Sequence, residues 1–572
     1  MVGCRPGQPG DTAADQPGAA SPPVNIELRE IRPGVWVHTS YYTYPGGTRF
    51  SANGLLVRDG DSLLLVDTAW GELRTLALLD ISLAILRVEM APNETRRRFF
   101  CEVVCLDNHP HSRTIAVDQF YRSSFGAFLE RHFADLFTKP SQQSFLLLAL
   151  GFCLSTGRHT VANYLWRAGA CAFKHFTCFY VFLGGPFYDR LEWLFVSVIR
   201  LAERHVPDDE PVRVRFDATT SKKTGRTIDG ASRYRNGAGS ARQEYRTLWG
   251  VNFVVGEMLI RLGPWPDAFV SVPIGLALYV KEDQAERLGV PYRRRSDLAR
   301  AMLERLCGAV SPTRRVLSVQ DGEFSTRHFL RDLPAQVAVV GRLPKNSPLY
   351  AVPQAKAAGR PGRPAMKGPR LGTAETLAEE DQGWQAHPEE AGAEVRMVEG
   401  LWHSVLPGVV VRVFLVRRKA LRQAASKKKR QRYIEAFFTT ELSLSMEQIL
   451  GEYHGRWSIE ITIGQARQSL GLGQDRCRRY RRIVGINAFR MVIAAAEVLW
   501  FADEVCEVEA MDLRAYRPWY GRKQAPSLED VLWAVREQLH GEGILPNVGF
   551  WETVEVFHGI DPGGSGALPR AA

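Results

Sequence analysis

Near Val212 the hydrophobic period of the chain changes, and that change limits the folds open to it. Upstream, apolar residues recur at helical spacing through Phe120–Phe137, Gln142–Leu154, Thr160–Leu165 and Tyr188–Ala202. Downstream, Val212-Arg-Val-Arg-Phe216 alternates as a strand does, and Leu248–Ile260 and Phe269–Val280 are two further β-rich runs. A helix is predicted over Ser296–Leu306, a strand over Arg315–Val319, a short helix over Ser325–Leu330 and a fifth strand over Gln336–Val340. Three β-rich runs followed by alternating helix and strand imply an α/β protein built on a mixed sheet.

That order is the one expected of a ribonuclease H-like sheet, and two of its strands end on an acid. Asp217 closes the first in Phe216-Asp-Ala-Thr-Thr220, and Asp321 follows the fourth in Val319-Gln-Asp-Gly322. A third block, Tyr453-His-Gly-Arg-Trp-Ser-Ile-Glu-Ile-Thr-Ile-Gly-Gln-Ala-Arg467, falls in a helix predicted from Ser445 to Leu470. Tyr453, Arg456, Glu460 and Arg467 are spaced so that one helix face carries all four. A phenol, a carboxylate and two guanidiniums on one face are unlike a packing stripe. A solvated face with an Arg456–Glu460 pair one turn apart is the plainer reading of the same residues.

Composition narrows the class. Apolar residues make up 45% and charged residues 24% of 572, an ordinary globular balance for about three or four domains. Nine cysteines are too few for a disulfide framework in a chain of this length and fit a reducing cytoplasm. Apolar runs such as Phe145–Leu154 stop short of the ~18 residues of a membrane span. The first 23 residues lack the apolar core of a secretory signal and read as a solvated tail. The net charge is +11, yet residues 1–80 carry six Arg against nine acids, a net of −3 that leaves +14 on the remainder. A basic field of that kind favours a polyanion as partner.

Residues 115–540 resemble a large group of insertion-sequence DDE transposases. The last catalytic block of that group reads Y-x2-R-x3-E-x6-K, matched here by Tyr453, Arg456 and Glu460, with Arg467 in place of the lysine. The substitution keeps the charge and replaces a point charge by a fork. Asp217-Ala-Thr-Thr-Ser-Lys-Lys-Thr-Gly225 resembles the first acidic block, Asp229–Ser240 the glycine-rich segment after it, and Asp321-Gly-Glu-Phe324 the second acidic block. The resemblance implies a catalytic and metal-binding triad of Asp217, Asp321 and Glu460. Cleaving a phosphodiester builds charge on the attacking and leaving oxygens, which two Mg²⁺ ions (or Mn²⁺) offset together. Carboxylate oxygens suit such hard ions, Asp217 bridging them and Asp321 and Glu460 holding one each. Tyr453, Arg456 and Arg467 would grip phosphates of the cleaved strand. The implied partner is double-stranded DNA, as terminal inverted repeats and target, bound by a homodimer in the cytoplasm and by no membrane.

A second resemblance covers residues 24–80. Val35–His38, Gly54–Arg58 and Ser62–Val66 read as strands, with Asp59-Gly60 as turn chemistry. Asn53-Gly-Leu-Leu-Val-Arg-Asp-Gly-Asp61 and Leu64-Leu-Val-Asp-Thr-Ala-Trp-Gly71 resemble the N-terminal strands of metallo-β-lactamases of the Verona type. Those enzymes hold zinc through an HxHxD block, whereas His109-Pro-His111 here is followed by Arg113, a cation that would repel zinc. No zinc is expected, and an intact zinc hydrolase is excluded on its ligands. A remnant without that activity remains as an alternative, as does a DNA-binding protein with an inactive nuclease site. Stoichiometric zinc and β-lactam turnover would mark a zinc hydrolase, and neither is expected.

The insertion after the fifth strand carries further expectations. Lys345–Arg370 is basic and rich in Pro and Gly, and reads as an exposed loop or a minor-groove arm. Glu375–Glu394 is acidic and reads as another loop. Val409–Val416 and Ile434–Thr440 are β-rich and flank a connection holding Lys427, Lys428, Lys429 and Arg430, a phosphate-contact candidate or a solvated run. Trp402 is the candidate for stacking on a flipped base in the β-rich insertion that the transposase resemblance implies. Arg476, Arg478, Arg479, Arg481 and Arg482 open a helix predicted over Val484–Phe501 and are DNA-contact candidates. Cys171, His175 and Cys178 have metal-like spacing but read as a packed helix face.

The expected architecture is therefore a solvated tail (1–23), an incomplete metallo-β-lactamase-like β fragment (24–80) and a junction (81–115). A helical domain (116–207) follows, as a DNA-end-binding module or a cap on the next domain. The ribonuclease H-like core spans 208–342 and 434–505 around a β-rich insertion (343–433), with a C-terminal region at 506–572.

Overall fold

The computed structural model describes residues 26–43, 49–59, 62–66, 119–170, 173–235, 247–354, 363, 365–387, 390–418, 434–505, 525–542 and 544. His109, His111, Arg113, Cys171, Lys427, Lys428, Lys429, Arg430 and most of the Arg-Pro arm lie outside the described residues. The chain divides into two compact units, residues 1–109 and 110–572.

In the first unit β1 (Ile26–Arg32), β2 (Val35–Thr43), β3 (Arg49–Asp59) and β4 (Ser62–Val66) form an antiparallel meander in that order. Gly34 turns β1 into β2 at φ 78°, where a side chain would be strained, and its N–H donates to Glu30 Oε1 at 3.0 Å. Asp59 pairs with Ser62, the tight reversal that Asp-Gly chemistry anticipates. Strand β1 lies outside the runs marked by the sequence, because Glu27, Arg29 and Glu30 dilute its apolar alternation.

In the second unit the strands are β5 (Val212–Lys222), β6 (Ser232–Arg235), β7 (Thr247–Leu262), β8 (Trp265–Tyr279), β9 (Val316–Gln320) and β10 (Val337–Arg342). They are followed by β11 (Pro348–Tyr350), β12 (Arg370–Thr373), β13 (Gln385–Ala386), β14 (Ala393–Leu401), β15 (Val410–Arg418) and β16 (Ile434–Thr439). The heart of this large mixed sheet runs β8-β7-β5-β9-β10, with β8, β7 and β5 antiparallel and β5, β9 and β10 parallel. That arrangement is compatible with the ribonuclease H-like expectation. Strand β6, which the sequence does not mark, pairs with the start of β7.

The insertion corrects the loop reading of residues 345–394. Its strands prolong the same sheet, which continues β10-β16-β15-β14-β11-β12, with β13 on β14 and a helical turn at Ala374–Leu377. Antiparallel β15 and β16 place Phe414 opposite Phe437 on one sheet face and Val413 opposite Phe438 on the other, the face packed into the main core. Trp402 belongs to that face. It is 2% exposed and meets Phe438 edge-on at 5.3 Å, so the structure buries the residue expected to stack on a base.

Helices Ser124–Phe133, Lys139–Cys153, Val161–Arg167, Phe176–Gly184, Pro186–Asp189 and Leu191–Glu203 precede the sheet. Several pack around Tyr480–Trp500, which lies on β8, and all these elements share one hydrophobic core. Phe179, Phe182 and Leu183 face that core, whereas His175 and Cys178 are exposed, against the expectation of a packed Cys/His face. Tyr480–Val505 is long and apolar enough to cross a membrane, yet its apolar window is wholly buried within the fold. Burial pushes the Glu497 carboxyl on this helix up to about 8, and the Cys153 thiol donates to it at 3.4 Å.

Candidate active site

Two parallel strands bring the first two acids together. Along β5 and β9, Val212 pairs with Val316, Arg213 with Leu317, Val214 with Ser318 and Arg215 with Val319. Two residues beyond that last rung on each strand stand Asp217 and Asp321, neighbours across a strand spacing of about 5 Å. Each carboxylate is steadied by the next residue: Asp217 Oδ1 accepts from the Ala218 N–H at 2.7 Å, and Asp321 Oδ1 from the Gly322 N–H at 2.6 Å. Burial pushes the Asp217 carboxyl up to about 6. The Ala218 N–H and the Arg456 guanidinium oppose that rise, and the negative charges of Glu323 and Asp321 add to it.

The third acid arrives on a helix. Where the sequence predicts one helix over 445–470, the structure has two, Met446–Gly455 and Trp457–Gln468, joined at Arg456. The first begins in a capping box, with Ser445 and Gln448 satisfying each other's backbone N–H groups. The second carries Glu460, half-buried, whose Oε1 accepts from Arg456 Nη2 at 2.9 Å. Arg456 also feels the charge of Asp321, acts on Asp217 and sits 5.8 Å from the Tyr453 ring. One guanidinium thus faces all three acids. Tyr453 packs on Phe437 at 4.5 Å, and burial and the Asp321 charge push its phenol up.

Arg467 is placed differently from the expectation of a free phosphate grip. Its Nη2 donates to Thr219 Oγ1 and, at 2.8 Å, to the Thr220 carbonyl, tying the end of the Glu460 helix to β5 just past Asp217. A second tie follows. Lys223 Nζ donates to the Gly473 carbonyl at 2.9 Å and meets Asp475 Oδ2 at 3.1 Å, both in the turn after that helix. Arg476, Arg478, Arg479, Arg481 and Arg482 are all exposed. Arg481 pairs with Asp189 and lies over the Tyr188 ring at 4.5 Å. Asp229 anchors the base of the cluster, donating its N–H to the Arg478 carbonyl at 2.8 Å and accepting from the Tyr480 N–H at 2.9 Å.

Sequence reasoning missed Glu323, two residues after Asp321, which is exposed, ion-paired to Arg295 and close enough to raise the Asp217 carboxyl. It also missed three residues beneath the site: Arg215, Glu257 and Ser458. A lone carboxylate inside Val254-Val-Gly-Glu-Met-Leu259 was the available signal.

Among the described residues, no three His, Cys, Asp or Glu side chains stand close enough to hold a metal ion in this arrangement, in which Glu460 is paired with Arg456. The donors themselves are carboxylate oxygens: Asp217 within β5, which runs on to Lys222 past the strand end expected at Asp217, Asp321 just after β9, and Glu460 on a helix. That set fits a hard divalent cation.

Residues 132–401 match the family model described as DDE superfamily endonuclease. This stretch is a DDE transposase-like domain. The match includes Asp217 and Asp321 and ends before Glu460. A DDE domain implies a nuclease- or transposase-like enzyme with DNA as substrate, of a superfamily that generally uses divalent metals.

Proposed function

We propose that the chain is an insertion-sequence transposase that cuts DNA at the ends of its element and joins the freed strand to a target. The paired register of β5 and β9, which sets Asp217 beside Asp321 under the Arg456–Glu460 pair, carries this reading. Asp217, Asp321 and Glu460 would hold two Mg²⁺ ions, or Mn²⁺, whose chemistry is to activate the attacking oxygen and offset charge on the leaving one.

The chain's own residues do the rest. The Ala218 and Gly322 N–H groups fix the two aspartates before DNA arrives, so little reorganisation is needed in the reaction. A phosphate of the cleaved strand competes for the Arg456 fork and releases Glu460 toward the aspartates. Tyr453 adds a hydroxyl to the same phosphate. Arg467 holds the helix to β5 and meets DNA with its remaining donors. The exposed arginines from Arg476 to Arg482 bind backbone phosphates outside the cut, as would Lys427, Lys428, Lys429 and Arg430. The helices before the sheet serve as an end-binding module or a cap. A homodimer pairs two DNA ends, in the cytoplasm. The N-terminal meander is a metallo-β-lactamase-like fragment fused in frame, with no zinc and no hydrolase activity; an independently folding, protease-resistant 1–80 fragment would contradict its being incomplete.

The test is cleavage of a duplex carrying the inverted repeats that flank the gene. Nicking at the repeat boundary is expected with Mg²⁺ or Mn²⁺ and is lost in Glu460→Gln. Nicking that survives this change removes Glu460 from the mechanism. The pairing of Glu460 with Arg456 also favours a second reading, a DNA-binding protein with an inactive site. Binding without nicking by the unmodified protein would establish it.

A further inference from the structure

Beneath the acids lies a charged network closed to solvent. Arg215, two residues before Asp217 on β5, is 3% exposed; its cross-strand partner on β7, Glu257, is fully buried. Their nearest atoms, Arg215 Nη1 and Glu257 Oε1, are 3.8 Å apart, too long for a direct hydrogen bond. Ser458 fills the gap. Its hydroxyl accepts from Arg215 Nη1 and donates to Glu257 Oε1. Thr462 and Ser271 stand close enough to the Glu257 carboxylate to favour its charged form, although its Oε2 has no hydrogen-bond partner, so three strands and one helix meet around one side chain. Gly455 completes the fit, since a Cβ there would come within 2.8 Å of Arg215 Nη2.

Ser458 and Thr462 are one turn apart on the helix that carries Glu460. Glu460 lies between them in sequence, about 160° around the axis from each. The buried ridge of Ile459, Ile463 and Ala466 separates the two flanks. Greasy ridges permit a helix to roll, whereas paired hydrogen bonds to a fixed carboxylate do not. A roll of about 20° would carry a carboxylate at a radius of ~6 Å by about 2 Å. Misplacement of about 1 Å can cost a reaction about a hundredfold.

We propose that Arg215, Glu257 and Ser458 are positioning residues that lock the roll of the Glu460 helix against β5 and thereby set Glu460 opposite Asp217 and Asp321. The assignment rests on the nuclease reading above and adds to it residues that touch neither DNA nor metal. Burial pushes the Glu257 carboxyl up and the Arg215 guanidinium down, and each charge opposes the other's shift. The pair therefore resists rearrangement that would leave either one alone.

The experiment uses the full chain with Ser458→Ala, Ser458→Thr and Thr462→Val beside Glu460→Gln. Nicking of the repeat duplex is followed against DNA and Mn²⁺ concentration, and Mn²⁺ binding without DNA is read by electron paramagnetic resonance. Ser458→Ala should lower kcat at least tenfold with KM for DNA unchanged and weaken Mn²⁺ binding at least threefold. Thr462→Val should act in the same direction by less, and Ser458→Thr should restore both. Should Ser458→Ala melt earlier but keep full kcat and Mn²⁺ affinity per folded molecule, while Glu460→Gln is inactive, the network is structural only and the proposal falls alone. Unmodified protein that neither nicks DNA nor binds Mn²⁺ removes the nuclease reading, and the proposal with it.

Discussion

The helix Trp457–Gln468 has two polar flanks with opposite characters. On one, half-buried Arg456 and Glu460 and exposed Arg467 face β5 and the two aspartates, open to exchange partners. On the other, Ser458 bridges Arg215 to a carboxylate closed to solvent, with Thr462 beside it. The first flank keeps its charges adjustable, as a site must if a ligand is to displace one contact and claim another. The second tolerates no exchange, because an unpaired charge in the interior is far more costly than one at the surface. Adjustable chemistry here stands on a rigid footing.

That contrast can be broken from either side. The largest effect is expected on the buried flank: Arg215→Met should destabilise the protein by about 3–5 kcal/mol, by leaving Glu257 unpaired. Urea unfolding followed by circular dichroism would read it, and a loss below about 1 kcal/mol would mean that the two flanks do not differ. On the open flank, Glu460→Gln should slow nicking by about 10²–10³-fold. Its unfolding free energy should stay within about 0.5 kcal/mol.

Asp217 sharpens the contrast through pH. Its carboxyl titrates near 6 in the folded protein, above the ordinary 3.8. A raised folded value means that the native state holds the proton more tightly. The stabilising share of protonated Asp217 is therefore present at the acid end and is lost as pH rises through about 6. Asp217→Asn should melt higher than the unmodified protein at pH 7.5, by up to about 3 kcal/mol in stability, and should not nick DNA. Equal melting temperatures across pH 4–8 would contradict the shift. Nicking by the unmodified protein should in turn fade as pH falls through about 6, when the carboxylate needed for cation binding takes up its proton. The smallest effect is expected for Arg467→Lys, which removes the fork that serves Thr219 and Thr220 together. A cost of about 0.5–1.5 kcal/mol in thermal unfolding is expected together with weaker DNA binding, and an unchanged DNA affinity would remove Arg467 from phosphate contact.

Although β5 runs on through Asp217 to Lys222 where a strand end was expected, the acids were legible because they follow apolar runs of alternating period. Phe216-Asp217 and Gln320-Asp321 needed no more than this. Trp402 was misread because its exposure depends on β14, β15 and β16 closing over it, which no local pattern reports. Arg467 was read as a free cation because helical spacing reveals which residues share a face and says nothing of which acceptors lie opposite. Within the β-rich insertion, residues 345–370 and 375–394 looked like loops because their strands are short or interrupted by Gly and charge, and they gain their partners only by joining a sheet that already exists.

By itself the sequence determined the mixed α/β order, the placement of Asp217 on one strand and of Asp321 just after another, and the helical placement of Glu460, since periodicity and turn chemistry act over a few residues. Only the tertiary structure decided that β5 and β9 run parallel in the register that sets the aspartates side by side. It alone decided that Glu257 lies under the helix, and that Arg456 faces three acids at once. Register, roll and facing depend on contacts between segments as much as 252 residues apart, as from Lys223 to Asp475. Nothing local encodes them.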